Sequence, residues 1–139
     1  MITLTRRYRF PAAHVLRSPA LSDADNERVY GKCANPAGHG HDYGLEITVA
    51  GDVDPATGQI FARDRLDALV DERVIARFGH ALLNEDPAFG ARVPTAENIA
   101  LAIESELAPA IAAERAGAHL LRVRLEETRK NSFETGEAR

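Results

Sequence analysis

Between Tyr30 and Tyr43 the chain reads Tyr-Gly-Lys-Cys-Ala-Asn-Pro-Ala-Gly-His-Gly-His-Asp-Tyr, and no other stretch limits the possible folds so strongly. It holds the single cysteine, Cys33, and two of the five histidines, His39 and His41, one glycine apart. Side chains alternate sides along an extended backbone, so His39 and His41 face the same way. Two imidazoles on one side can share a cation, and neutral imidazole is the commonest protein ligand for zinc. Zinc needs further ligands, and His14, in Phe10-Pro11-Ala12-Ala13-His14, is the candidate third. Three histidines leave one tetrahedral position open, as catalytic zinc requires, and one cysteine cannot build the closed multi-cysteine cage of a structural site. Taken alone, His-Gly-His reads equally well as a polar loop.

Composition narrows the class. A chain of 139 residues reads as one domain, 1–139, large enough to bury a core without staples. Its net charge of −4 and lack of a Lys/Arg run give no footprint for nucleic acid or a membrane surface. A lone cysteine excludes an intrachain disulfide framework and points to a reducing, cytoplasmic compartment. The N-terminus carries no apolar signal core, and no apolar run is long enough to span a bilayer.

Periodicity sets the expected elements. Ile2 to Phe10 alternates as a half-buried strand that Pro11 should end, and Ser18 to Glu27 reads as an exposed polar loop. Asp42 to Gly51 alternates again, Asp52 to Gly58 is a turn, and Gln59 to Ala62 is expected to be a short paired strand. Arg65 to Phe78 has helical spacing, with Asp64 as N-cap and Gly79 as stop. Thr95 should cap a second helix, which Pro109 should kink or split and Gly117 should end. In the last strand Leu121, Val123 and Leu125 share one side, and Glu127 falls on it. A carboxylate there needs a partner or a ligand, or else marks a strand end reaching solvent. Strand, strand, helix, helix, strand predicts an α+β fold: an antiparallel sheet with two helices on one face.

With these residues placed, the chain resembles the 6-pyruvoyl- and 6-carboxy-tetrahydropterin synthase family over nearly its whole length. Phe10-Pro11-Ala12-Ala13-His14 and Tyr30-Gly31-Lys32-Cys33 followed by His39-Gly40-His41-Asp42-Tyr43 resemble the zinc and cysteine motifs. Phe78-Gly79-His80-Ala81-Leu82-Leu83-Asn84 resembles Leu-Asp-His-x-x-Leu-Asn. Pro94-Thr95-Ala96-Glu97-Asn98-Ile99-Ala100 and Leu125-Glu126-Glu127-Thr128 resemble two pterin-site motifs. The resemblance implies a T-fold, in which sheets of several subunits join into barrels, usually a hexamer of two trimers with active sites at subunit interfaces. It implies zinc held by His14, His39 and His41, Cys33 as catalytic base, His80 in proton transfer, and Glu127 and Thr95 against a pterin substrate.

One position departs from the pattern: where the family has an aspartate beside its histidine, this chain has Gly79. The expected function is a zinc-dependent lyase acting on 7,8-dihydroneopterin triphosphate. The compact chain leans to the 6-carboxy product of the queuosine precursor pathway. The five residues between Cys33 and His39 lean slightly to the 6-pyruvoyl reaction, which is the alternative. A pterin-binding homologue with altered chemistry, motivated by Gly79, and a purely structural zinc module are the competing classes. His119 and Lys32 read as structural or solvated.

Overall fold

A computed structural model describes residues 1–136. Its frame is one four-stranded antiparallel sheet in the order β1 (Ile2–His14), β2 (His39–Gly51), β3 (Ala118–Thr128), β4 (Asn131–Glu134). Helices α1 (Asp23–Tyr30), α2 (Arg63–Val70), a last short turn α3 (Ala76–Phe78) and α4 (Ala96–Glu114) complete it. The α+β expectation holds. α2 and α3 join through a π-turn over Asp71–Ile75, so the helical spacing read from Arg65 to Phe78 is realised with one widened turn.

Burial follows the period of two. Phe10, Tyr43, Leu45, Ile47, Val123 and Leu125 point to the covered face, where they meet Leu66, Val70, Val74 and Phe78 of the α2–α3 arm and Ile99, Ile103, Leu107 and Ile111 of α4. Two polar clasps fix the first helix arm. Arg6 makes a two-pronged bond to Asp67, which also accepts from the Tyr8 hydroxyl, and Arg77 grips Asp86 in the same forked way.

Several expectations differ from the structure for local reasons. β1 does not end at Pro11; it runs to His14. Pro11 lies on an edge strand, where the missing N–H breaks no ladder bond, and its carbonyl accepts from His80 N–H. The loop expected over Ser18–Glu27 contains most of α1, whose N-cap is Ser22 and whose buried hub is Asn26. That residue bonds Ser18, Leu21 and Ser22, a side-chain network without periodicity. Gln59 to Ala62 is not a strand, although Ile60 and Phe61 are buried. Asp64 is not the N-cap; Ala62 is, and Asp64 accepts from Arg65 N–H. Pro109 lies inside an unbroken α4, which ends at Glu114, three residues before Gly117 at φ 86°. Leu121 falls in a register shift of β3, so it does not continue the alternation of Val123 and Leu125. No helix among the described residues is long and apolar enough to cross a membrane.

Candidate metal and pterin site

The β1–β2 register builds the site. His14 pairs with His39, Ala12 with His41 and Phe10 with Tyr43, so all three imidazoles stand on the covered face of adjacent strands. The His41 ring centre lies 4.9 Å from that of His14 and 4.7 Å from that of His39, each in edge-on geometry.

His14 is fully buried. Its Nδ1 lies 2.9 Å from the Pro94 carbonyl, which can only accept, so Nδ1 carries the proton and Nε2 the lone pair. That Nε2 is buried without a hydrogen-bond partner among the described residues. An orphaned imidazole nitrogen, oriented by a backbone carbonyl on its other side, is how metal-binding histidines are held. Burial pushes the pKa of His14 and His41 down, towards the neutral form that ligates, although Glu127 pulls both the other way.

Cys33 sits in the tight turn Gly31–Ala34 that follows α1, and its carbonyl accepts from Leu16 N–H at 2.6 Å. Its Sγ lies 3.8 Å from His41 Nε2. One ligand atom each from His14, Cys33 and His41 falls within 4.8 Å of the others, a group able to hold a metal ion. His39 is outside that tight group, although its ring touches that of His41. Burial, then the nearby Glu127, pushes the Cys33 thiol pKa up. Buried Tyr43 is shifted the same way, and its hydroxyl lies 3.3 Å from His14 Nδ1.

Glu127 arrives where strand parity predicted. Its Oε2 lies 4.0 Å from His41 Nε2, and its side chain is 15% exposed. The β3–β4 register shifts by one residue between Glu126 and Thr128, a bulge that contains Glu127. Asn131 Nδ2 donates to its Oε1 at 3.4 Å, a support that nothing in the sequence marked.

Thr95 and His80 are the other expected site residues. The Thr95 hydroxyl accepts from Asn98 N–H as the N-cap of α4, so its side chain serves the helix, while neighbouring Pro94 holds His14. His80 is exposed, lies outside the cluster, and has φ 58°, rare for a residue with a Cβ. Its N–H is bound to Pro11 on the outer edge of β1, and it lines a cavity of about 490 Å³ together with His41 and Asp42. Of the nearby carboxylates, Asp86 is already committed to Arg77 and to Ala88 N–H.

Known proteins share this arrangement of chain. A family model described as 6-pyruvoyl tetrahydropterin synthase matches residues 3–138. A 6-pyruvoyl tetrahydrobiopterin synthase of Poecilia reticulata is 40% identical over 129 residues, 92% of this chain and 85% of that protein. A provisionally named 6-carboxy-5,6,7,8-tetrahydropterin synthase of Archaeoglobus fulgidus is 36% identical over 110 residues, 79% of this chain and 84% of that protein. The solved structure of 6-pyruvoyl tetrahydropterin synthase from Caenorhabditis elegans superposes with a TM-score of 0.86 at 34% identity, covering 99% of this chain and 96% of that one. By sequence and by fold, this chain belongs to the 6-pyruvoyl tetrahydropterin synthase family.

Proposed function

We propose that this chain is a zinc-dependent lyase acting on 7,8-dihydroneopterin triphosphate, with loss of triphosphate and the 6-pyruvoyl product. The observation that carries the reading is the buried, unpartnered Nε2 of His14 beside His41 and the Cys33 thiol. His14, His39 and His41 would hold the ion, His39 closing on it from its place beside His41. When bound, zinc supplies a Lewis acid that stabilises negative charge on substrate oxygens.

The remaining work falls to side chains. Cys33 takes a proton from the substrate side chain, general base catalysis of a kind typically worth about 10²–10⁴-fold. Glu127, steadied by Asn131, accepts the paired N–H groups on the guanidine-like edge of a pterin. Thr95 contributes through the backbone at the start of α4. His80 stands on the free edge of β1, from which it would serve a neighbouring subunit in a homo-oligomer of trimers, acting without an adjacent aspartate.

The five-residue spacing from Cys33 to His39 and the name of the Poecilia relative favour the 6-pyruvoyl product over the 6-carboxy lean drawn from chain compactness. The Archaeoglobus relative favours the 6-carboxy product as a second reading. Incubating folded, zinc-loaded protein with 7,8-dihydroneopterin triphosphate and weighing the products separates them. Release of triphosphate with the 6-pyruvoyl mass is expected; the 6-carboxy mass selects the second reading, and unchanged substrate contradicts both.

A further inference from the structure

β1 is an edge strand, and one segment runs along its free side. His80 N–H donates to Pro11 O at 2.6 Å, Ala13 N–H donates to Ala81 O at 2.9 Å, and Ala13 bridges Leu82 in parallel. The backbone then leaves the edge in the tight turn Leu83–Glu85, which buries the Leu83 side chain completely. The next outward-facing backbone groups, one residue past the end of β1, belong to Val15. There a side chain takes over from the backbone: Val15 N–H donates to Asn84 Oδ1 at 2.8 Å, and Asn84 Nδ2 donates to Val15 O at 2.8 Å. One amide thus satisfies both backbone groups of a single residue, as a paired strand would.

The residue gripped matters because of its neighbours. Val15 follows His14 directly, and Leu16 N–H donates to the Cys33 carbonyl at 2.6 Å. The whole excursion from Val15 to Gly38, which carries Cys33, therefore departs from the sheet at a point held by Asn84. We infer that Asn84 is a positioning residue: through Val15 and Leu16 it sets the place of the Cys33 sulfur relative to His14 and His41. This rests on the role proposed for Cys33, but the clamp itself can be read without turnover.

Cys33 is the only thiol, so its alkylation by iodoacetamide in metal-free, full-length protein reports its position unambiguously. Asn84→Ala is expected to raise the alkylation rate about fivefold or more as the thiol leaves its half-buried place. In zinc-loaded protein with 7,8-dihydroneopterin triphosphate it is expected to lower kcat about tenfold or more, because small misplacements of a reacting group are costly. KM should change little, since Glu127 and Thr95 lie on other elements. Asn84→Asp keeps the acceptor for Val15 N–H, loses the donor to Val15 O, and should fall between; it carries the test if Asn84→Ala does not fold. Where the wild type is active, rates of alkylation and turnover both within about twofold of wild type, or a change in one without the other, would overturn the inference. An inactive wild type whose thiol is still exposed by Asn84→Ala would sink the proposed reaction and leave the clamp standing.

Discussion

A Cβ built on Gly79 would stand 2.5 Å from the carbonyl oxygen of Ile75, and that same carbonyl accepts the Gly79 N–H at 2.9 Å. The backbone angles of Gly79, φ −63° and ψ 135°, are open to any residue, so the constraint is contact, not torsion. The position that holds an aspartate in the family pattern is therefore closed to side chains in this chain. Restoring the carboxylate requires the end of the helix arm to move.

That contact predicts the fate of the reverse substitution. Gly79→Asp and Gly79→Ala should both lower stability by about 1–3 kcal/mol, the usual range for forcing atoms into packed space, and Gly79→Asp should not raise turnover. Urea unfolding with parallel assays checks this. A Gly79→Asp protein as stable as wild type and faster would show that the arm yields easily.

The link from α4 to the metal site gives a second prediction. Thr95→Ala removes the N-cap and should cost about 0.5–2 kcal/mol. Because Pro94 orients His14, the same variant should weaken zinc binding, and Thr95→Ser should recover both. Loss of stability with unchanged zinc affinity, measured by competition with a chelating dye, would separate the cap from the ligand.

Glu127→Gln keeps the shape and removes the charge. Hydrogen bonds to a charged group are worth about 1.5–3 kcal/mol, so pterin affinity should fall about ten- to a hundredfold. Zinc content should be unchanged. Calorimetric titration with a pterin ligand reads the first and metal analysis the second; a variant that loses metal would move Glu127 from the pterin to the ion.

The clasp between Arg77 and Asp86 brackets the His80 segment and sets a pH dependence. Hydrogen bonds from Arg77, aided by Ala88 N–H, hold the Asp86 pKa below its ordinary value despite partial burial. A depressed folded pKa contributes stability that is full above the unfolded pKa of about 3.9 and lost as pH falls through the folded value. Asp86→Asn should cost about 1–3 kcal/mol at neutral pH, and the difference from wild type should shrink in acid below the unfolded pKa. A penalty that is the same across that range would assign the loss to packing.

Much of this was legible in the chain. The extended spacing of His-Gly-His puts His39 and His41 on one side, and counting from Leu125 puts Glu127 on the apolar side of its strand. That His14 joins them depends on β1 running past Pro11 to pair with His39, which the alternation does not mark. Thr95 reads correctly as a cap. Features built from side-chain hydrogen bonds and irregular backbone were not legible. Asn26 organising α1, Asn84 standing in for a strand and Asn131 supporting Glu127 have no periodicity. The bulges at Leu121 and Glu127 and the π-turn before Gly79 are each set by tertiary packing. Pro11 misled because proline ends central strands and is tolerated at edges, and edge position is a property of the assembled sheet.

The central claim is a division of labour: three imidazoles hold the cation, and the thiol 3.8 Å from His41 stays free to move a proton. Metal content of purified Cys33→Ala, measured with its turnover of 7,8-dihydroneopterin triphosphate, tests this most directly. The account predicts one zinc per chain, as in wild type, with turnover abolished. Loss of the zinc together with the activity would make the sulfur a ligand and contradict it.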